Sequence, residues 1–207
     1  IVGFAPAIEG ALTNLSFACF YKIAGLISTT TLAASTVVIS CMSLSFMPGV
    51  AFGIAATTIL GQAMGQGKIR LAYQGTMRSA TFSAMVMGTM GIVFIVFGKS
   101  LLGLFTNVPA VIAEGYPALC IVAFVQVGDA YHMVVGSALR SAGMMYWVMF
   151  AYLIISFLIM LPLAYFFGIV LKGGSSGIWT AFFIWILLLA ITFVRKFRKK
   201  EWVNIRI

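Results

Sequence analysis

The chain has little of what a soluble enzyme uses. It carries 4 acidic residues and 1 histidine in 207 residues, and charged residues make up only 8%. A soluble domain has about 25%, so water is not the solvent for most of this chain. A lone histidine leaves a His-based metal centre without clustered co-ligands. There is no Gly-x-Ser-x-Gly elbow, phosphate loop or dinucleotide fingerprint. The glycine run Gly61–Gly67 follows an apolar run and lacks the Lys-Ser/Thr pair of a phosphate cradle. Cys19, Cys41 and Cys120 sit in apolar segments without metal-ligand spacing, so they read as small buried hydrophobes and not as a disulfide framework. The reading is therefore no enzyme, no cofactor and no metal centre. No polar stretch is long enough for a soluble domain.

What is present is apolar. Hydrophobic residues reach 62%, and mean hydropathy is +1.12. Apolar runs of about 20 residues favour membrane helices over a barrel, whose strands alternate over about ten. The expected fold is all-α and integral to the membrane, a six-helix bundle. The spans fall at about 3–27, 31–63, 72–98, 110–141, 144–170 and 178–194, together one transmembrane unit over 1–194, with a basic tail over 195–207. The second span is interrupted by Met47-Pro48-Gly49. At 1.5 Å per residue its ~33 residues extend ~50 Å, beyond the ~30 Å hydrocarbon core. It must kink at Pro48, tilt or project. Lys99–Pro109 reads as a loop, and Lys172–Gly177 as a flexible link. The chain opens at Ile1, without Met or a signal-peptide pattern, and is expected to be a fragment lacking its N-terminal part.

The net charge of +9 follows topology and does not imply a nucleic-acid partner. With the Gly65–Arg70 link cytoplasmic, Lys68, Arg70, Arg78, Arg140 and the basic residues from Arg195 onward share one side, and only Lys22, Lys99 and Lys172 lie opposite. The positive-inside rule then puts both ends of this chain in the cytoplasm. The tail reads as a stop-transfer anchor that can touch anionic lipid.

Each ionisable group inside the spans stands out. A central membrane carboxylate costs roughly 2.5–3.5 kcal/mol on insertion scales, so it must face a partner or water. Asp129 is such a group. On a helix it shares a stripe about 60° wide with Met133, Gly136 and Arg140, flanked by Gln126 and His132. Asp129 can exchange a proton or, when ionised, bind sodium, and His132 can modulate that proton. Arg140 lies ~16 Å further along, too far for a direct pair, and is expected to cap the cytoplasmic end. Glu9, with Thr13 on the same face, reads either as a first-turn acid or as a cavity carboxylate. Glu114 is expected to be solvated at the outer end. Gly49/Gly53 and Gly61/Gly65 are small-xxx-small pairs that permit close helix packing.

Three segments carry a resemblance. They are PGVAFGIAATTILGQAMGQGKIRLA from Pro48, which includes Gly61, Gln62, Gly65 and Gly67; LFTNVPAV from Leu104; and GSALRSAG around Arg140. Together, in order and spacing, they resemble the multidrug and toxic compound extrusion (MATE) transporters over essentially the whole chain, as the C-terminal six-helix lobe. Ser141 stands where the family has Gly. The resemblance implies two six-helix lobes around a central cavity and export by alternating access, driven by proton or sodium influx. Asp129-Ala130 resembles the cation-site Asp of one branch, with His132 in place of that branch's Gln. Glu9 comes one turn after Pro6, where the family's acid often lies two turns on. The implied partners are the missing N-terminal lobe, membrane lipid and a small organic substrate, in a bacterial inner membrane. Two other readings stay open: a lipid-linked oligosaccharide flippase of the same superfamily, and a stand-alone six-helix protein acting as a homodimer. If a second lobe docks, spans one, two and four are expected to offer it a polar, small-residued face.

Overall fold

The computed structural model describes the backbone of residues 4–204 and the side chains of residues 7–203. All regular structure among the described residues is helical. Helix α1 covers Phe4–Ile27, α2 Thr29–Gly65, α3 Ile69–Gly103 and α4 Pro109–Leu139. A π-helical turn, Arg140–Met144, follows, then α5, Met145–Ile154. A π-helical stretch, Ile155–Met160, leads into the short α6, Leu161–Tyr165, and a further one, Phe166–Val170, completes that rod. Helix α7, Gly174–Arg198, ends before a 3-10 turn at Glu201–Asn204.

Five helical stretches are long and apolar enough to cross a membrane, and one of them, Pro109–Val170, runs for 62 residues. Gly143 divides it: φ 84 takes that residue out of the helical region, a conformation glycine adopts without a Cβ penalty. Side-chain pairs then fix the directions. Trp147 packs on Phe193, and Trp185 donates to Ser156, so α5 runs antiparallel to α7. A Cβ at Gly128 would meet Ile186 and one at Gly136 would meet Phe193, so α4 runs parallel to α7. The chain therefore reverses at Gly143, and the stretch yields two of six rods.

Several boundaries differ from the sequence reading. Helix α3 continues through Lys99 to Gly103, so the expected loop shrinks to residues 104–108. Lys99 is accommodated by lying 5.3 Å over the Tyr116 ring. Gly174 already begins α7, which shortens the expected flexible link. Helix α2 stays continuous through Pro48 over 37 residues, which extends ~55 Å. Its end is closed by Gly67, at φ 69. The π-helical stretches of the fifth span left no sequence signal beyond Pro162. There the Leu161 N–H reaches back to the Ser156 carbonyl, an i→i−5 bond.

Helix α4 is the spine, packed against α2, α3 and α7. Small residues set its distance from its neighbours. A Cβ at Gly53 would stand 3.0 Å from Ser137 Oγ, and one at Gly91 would stand 2.6 Å from the Ala123 carbonyl oxygen. Gly61 and Gly65 behave otherwise: no described atom lies within 4 Å of an added Cβ, so this pair does not pack helices within the lobe. Outward faces differ by helix. Helices α1 and α2 expose Gly10, Ala11, Asn14, Ala33, Thr36 and Thr58, but also Leu15, Leu44, Met47 and Ile54, so their outward faces mix small or polar residues with large apolar ones. Helix α4 is mostly enclosed, and its outward residues include Phe124, 70% exposed, and Val127. At the end of α7, Trp202 is fully buried and stacks on Phe197. Nearby, Lys196 donates to Glu201, which holds that carboxyl below its usual range.

Gly91 gives a packing test. Gly91→Ala drives a methyl into the α4 backbone and is expected to cost about 1–3 kcal/mol. Gly61→Ala meets open space and is expected to stay within about 0.5 kcal/mol of the parent. Thermal unfolding of the detergent-solubilised protein reads the contrast.

Candidate functional site

The structure separates the expected site residues into two neighbouring groups on α4. The deeper group is Gln126, Asp129 and His132, successive at i, i+3 and i+6. Gln126 is completely buried, and its Oε1 accepts from the Ser45 hydroxyl of α2. Asp129 is 3% exposed, and its Oδ1 lies 3.2 Å from His132 Nδ1. Three atoms have no hydrogen-bond partner among the described residues: Gln126 Nε2, Asp129 Oδ2 and His132 Nε2. Buried polar atoms are normally satisfied, and these three lie within two turns of α4. Around His132 stand Phe193, Tyr152 and Trp185, with ring centroids at 5.4, 6.3 and 6.4 Å. These rings fix the imidazole plane and exclude bulk water from that side.

The second group lies toward the Gly143 end of α4. Arg140 was expected to cap that end; instead its side chain crosses to α1 and grips Glu9. Arg140 Nη2 donates to Glu9 Oε1 at 2.6 Å, and Nε donates to Oε2 at 3.2 Å. Glu9 is correspondingly buried, at 9% exposure, and is not a free first-turn acid. The planar guanidinium fork matches both carboxylate oxygens. Its position on the last turn of α4 is also where the helix dipole favours a cation. Sequence distance along α4 correctly kept Arg140 away from Asp129, but it could not show that α1 supplies the carboxylate.

A cavity of about 360 Å³ joins the two groups. Glu9 and Thr13 of α1, Gly49 of α2, His132 and Arg140 of α4, and Tyr152 of α5 line it. Asp129 is not on its wall. His132 is, so the imidazole stands between the cavity and the Asp129 carboxyl. Thr13 faces the cavity while its hydroxyl donates back to the Glu9 carbonyl at 2.7 Å. Ser45, Tyr152, Phe193 and Trp185 were not singled out from the sequence. Ser45 and Tyr152 sit in long apolar runs with no neighbouring charge to flag them. At the opposite end of α4, Glu114 is partly exposed, and the Thr31 hydroxyl donates to it.

The donor set bears on which ion could bind. A hard cation takes several oxygen ligands. Near Asp129 one carboxylate oxygen is free, while the other unpartnered atoms are the nitrogens Gln126 Nε2 and His132 Nε2. Among the described residues no group of three His, Cys, Asp or Glu side chains gathers to hold a metal ion.

Comparison with known proteins decides the family. The MatE family profile matches residues 6–166, well over half the chain. The chain belongs to the MatE family. Among its relatives, the uncharacterized transporter YisQ of Bacillus subtilis is 28% identical over 156 residues, covering 75% of this chain and 34% of YisQ. The probable multidrug resistance protein NorM of Caulobacter vibrioides is 27% identical, covering 97% of this chain and 43% of NorM. The multidrug resistance protein MdtK of Yersinia pseudotuberculosis is 25% identical, covering 80% of this chain and 37% of MdtK. The MatE chain thus spans less than half the length of these relatives. Its fold matches a crystal structure of MATE in the straight conformation, with TM-score 0.89 and 16% identity over 96% of this chain and 44% of that one. It also matches an inward-facing multidrug resistance MATE transporter, with TM-score 0.84.

The Glu9–Arg140 pair joins α1 to α4 and can be tested as a unit. Arg140→Gln leaves a buried carboxylate unpaired and is expected to cost about 2–4 kcal/mol. Combining it with Glu9→Gln recovers much of the loss. A double-mutant cycle by denaturant unfolding in micelles should return a coupling of at least about 1 kcal/mol.

Proposed function

We propose that this chain is one lobe of a secondary antiporter that exports drugs or organic cations, and that Asp129 carries the coupling proton. The observation behind it is the half-satisfied Asp129, buried in an apolar bundle with Oδ2 unpartnered and His132 between it and the cavity. A membrane carboxylate is costly as a bare anion and needs a counter-charge, a proton or a path to water. His132 provides the first step of that path, because one ring nitrogen meets Asp129 and the ring itself faces the cavity. Glu9 is the second carboxylate of the cycle. While Arg140 holds it, a cationic substrate must compete with an internal guanidinium for the same oxygens. The names of the relatives NorM and MdtK agree with a drug-exporting role.

In this reading the Arg-rich end, with the Gly65–Ile69 link and the tail, faces the cytoplasm by the positive-inside rule. The outward faces of α1 and α2 receive a second lobe. A flippase for a pyrophosphate-linked lipid would need spare cations in the cavity. Arg140 is the one cation among the lining residues, and Glu9 already neutralises it.

The test uses the complete gene product in inside-out vesicles. Asp129→Asn is expected to reduce ethidium transport driven by an imposed pH gradient by at least tenfold, with unchanged protein abundance. His132→Gln is expected to shift the pH profile of transport more than its maximum. Wild-type transport by Asp129→Asn, or transport driven by a sodium gradient alone, overturns proton coupling at Asp129.

A further inference from the structure

A groove of about 650 Å³ runs between α4 and α7, with Met77 of α3 at one edge. Its walls are apolar: Phe124 and Val127 on one side, Phe183, Leu187 and Ile191 on the other. Phe124, Val127 and Leu187 are 70%, 49% and 44% exposed, a strip of surface that water would not tolerate. At the end of the groove stand Arg195 and Arg198. They are three residues apart on α7 and therefore share its groove face. Neighbouring cations are engaged elsewhere: Lys196 with Glu201, and Lys200 over the Tyr73 ring. Arg195 and Arg198 are exposed and have no acidic partner among the described residues.

Length and placement narrow the occupant. Phe183 to Arg195 is twelve steps of α7, or ~18 Å, close to the ~15 Å depth of one hydrocarbon leaflet. The groove lines up an apolar channel one leaflet deep with a pair of free guanidinium groups at its mouth. Around α4, the centre of Phe124, Val127 and Tyr131 lies about 150° from that of Met133, Ser137 and Arg140. The groove therefore backs onto the side of α4 opposite the polar cavity, away from the faces of α1 and α2 proposed to receive a second lobe.

We propose that this groove is a binding site for one anionic phospholipid. Its phosphate is held by Arg195 and Arg198, and one acyl chain lies between α4 and α7. The inference is independent of the transport reading, since it rests on the opposite face of α4.

The experiment takes the complete gene product in detergent and titrates it with phosphatidylglycerol or phosphatidylcholine of matched chains, counting bound lipid by native mass spectrometry. The wild type is expected to prefer phosphatidylglycerol. The double variant Arg195→Gln/Arg198→Gln should lose about 25-fold of that preference, the combined effect of two interfacial arginines. Ile191→Trp, which fills the groove, should weaken both lipids alike and spare the headgroup preference. A photoactivatable phosphatidylglycerol should label residues of α4 and α7. An unchanged preference in the double variant overturns the proposal, as does labelling elsewhere. So does displacement of the lipid by millimolar glycerol 3-phosphate, which would mark a soluble-phosphate site. Crosslinking of Leu187→Cys to protein outside residues 1–207 also overturns it, because a protein surface would then cover the groove.

Discussion

The lobe depends on placing two carboxylates inside a low-dielectric bundle. Each would be expelled or neutralised if left alone, and the structure handles them differently. Glu9 receives a full ionic partner in Arg140, with both oxygens engaged. Asp129 receives half a partner, one contact to a neutral-capable imidazole, and keeps one oxygen open. The first arrangement ties helices together; the second leaves a group whose charge can change. Glu9 stands on α1 and Asp129 on α4, and their partners Arg140 and His132 line the same cavity.

Helix α4 makes this arrangement possible. Its inner stripe carries Gln126, Asp129, Met133 and Arg140, and small residues on the partner helices let those helices come close. Gly53 of α2 meets Ser137, and Gly91 of α3 meets the backbone at Ala123. Helix α7 packs along it with the aromatic group that orients His132. The same helix turns Phe124 and Val127 outward. Polar chemistry and lipid contact are thus kept apart by half a helical turn.

Composition and period made the membrane class and the helical bundle legible in the sequence, and they singled out Asp129, which the fold buries. The same logic located Glu9 and His132. Contacts between residues far apart in sequence were not legible. Glu9 and Arg140 are separated by 131 positions, and nothing local at either one names the other. Arg140 read along its own helix looked like a cap, and the Thr31 hydroxyl that meets Glu114 comes from a different span. The role of Gly61 and Gly65 was overread, since a small-xxx-small spacing is a permission for close packing and not a contact. Tyr152 and Trp185 were hidden because, in a chain rich in aromatics, residue type does not distinguish a ring beside an imidazole from one in the bulk.

The fifth rod differs from its neighbours in its ladder. Around Pro162 the hydrogen bonds reach back five residues, and two π-helical stretches hold an extra residue per turn. Such a stretch can return to ordinary spacing by sliding one residue, a step of ~1.5 Å along the axis, exchanging bonds without breaking the rod. Tyr152 on the cavity wall and Ser156, which holds Trp185, both lie on this rod. The rod with the longer-reaching hydrogen bonds thus carries one wall of the cavity beside the imidazole, next to an α-helical spine.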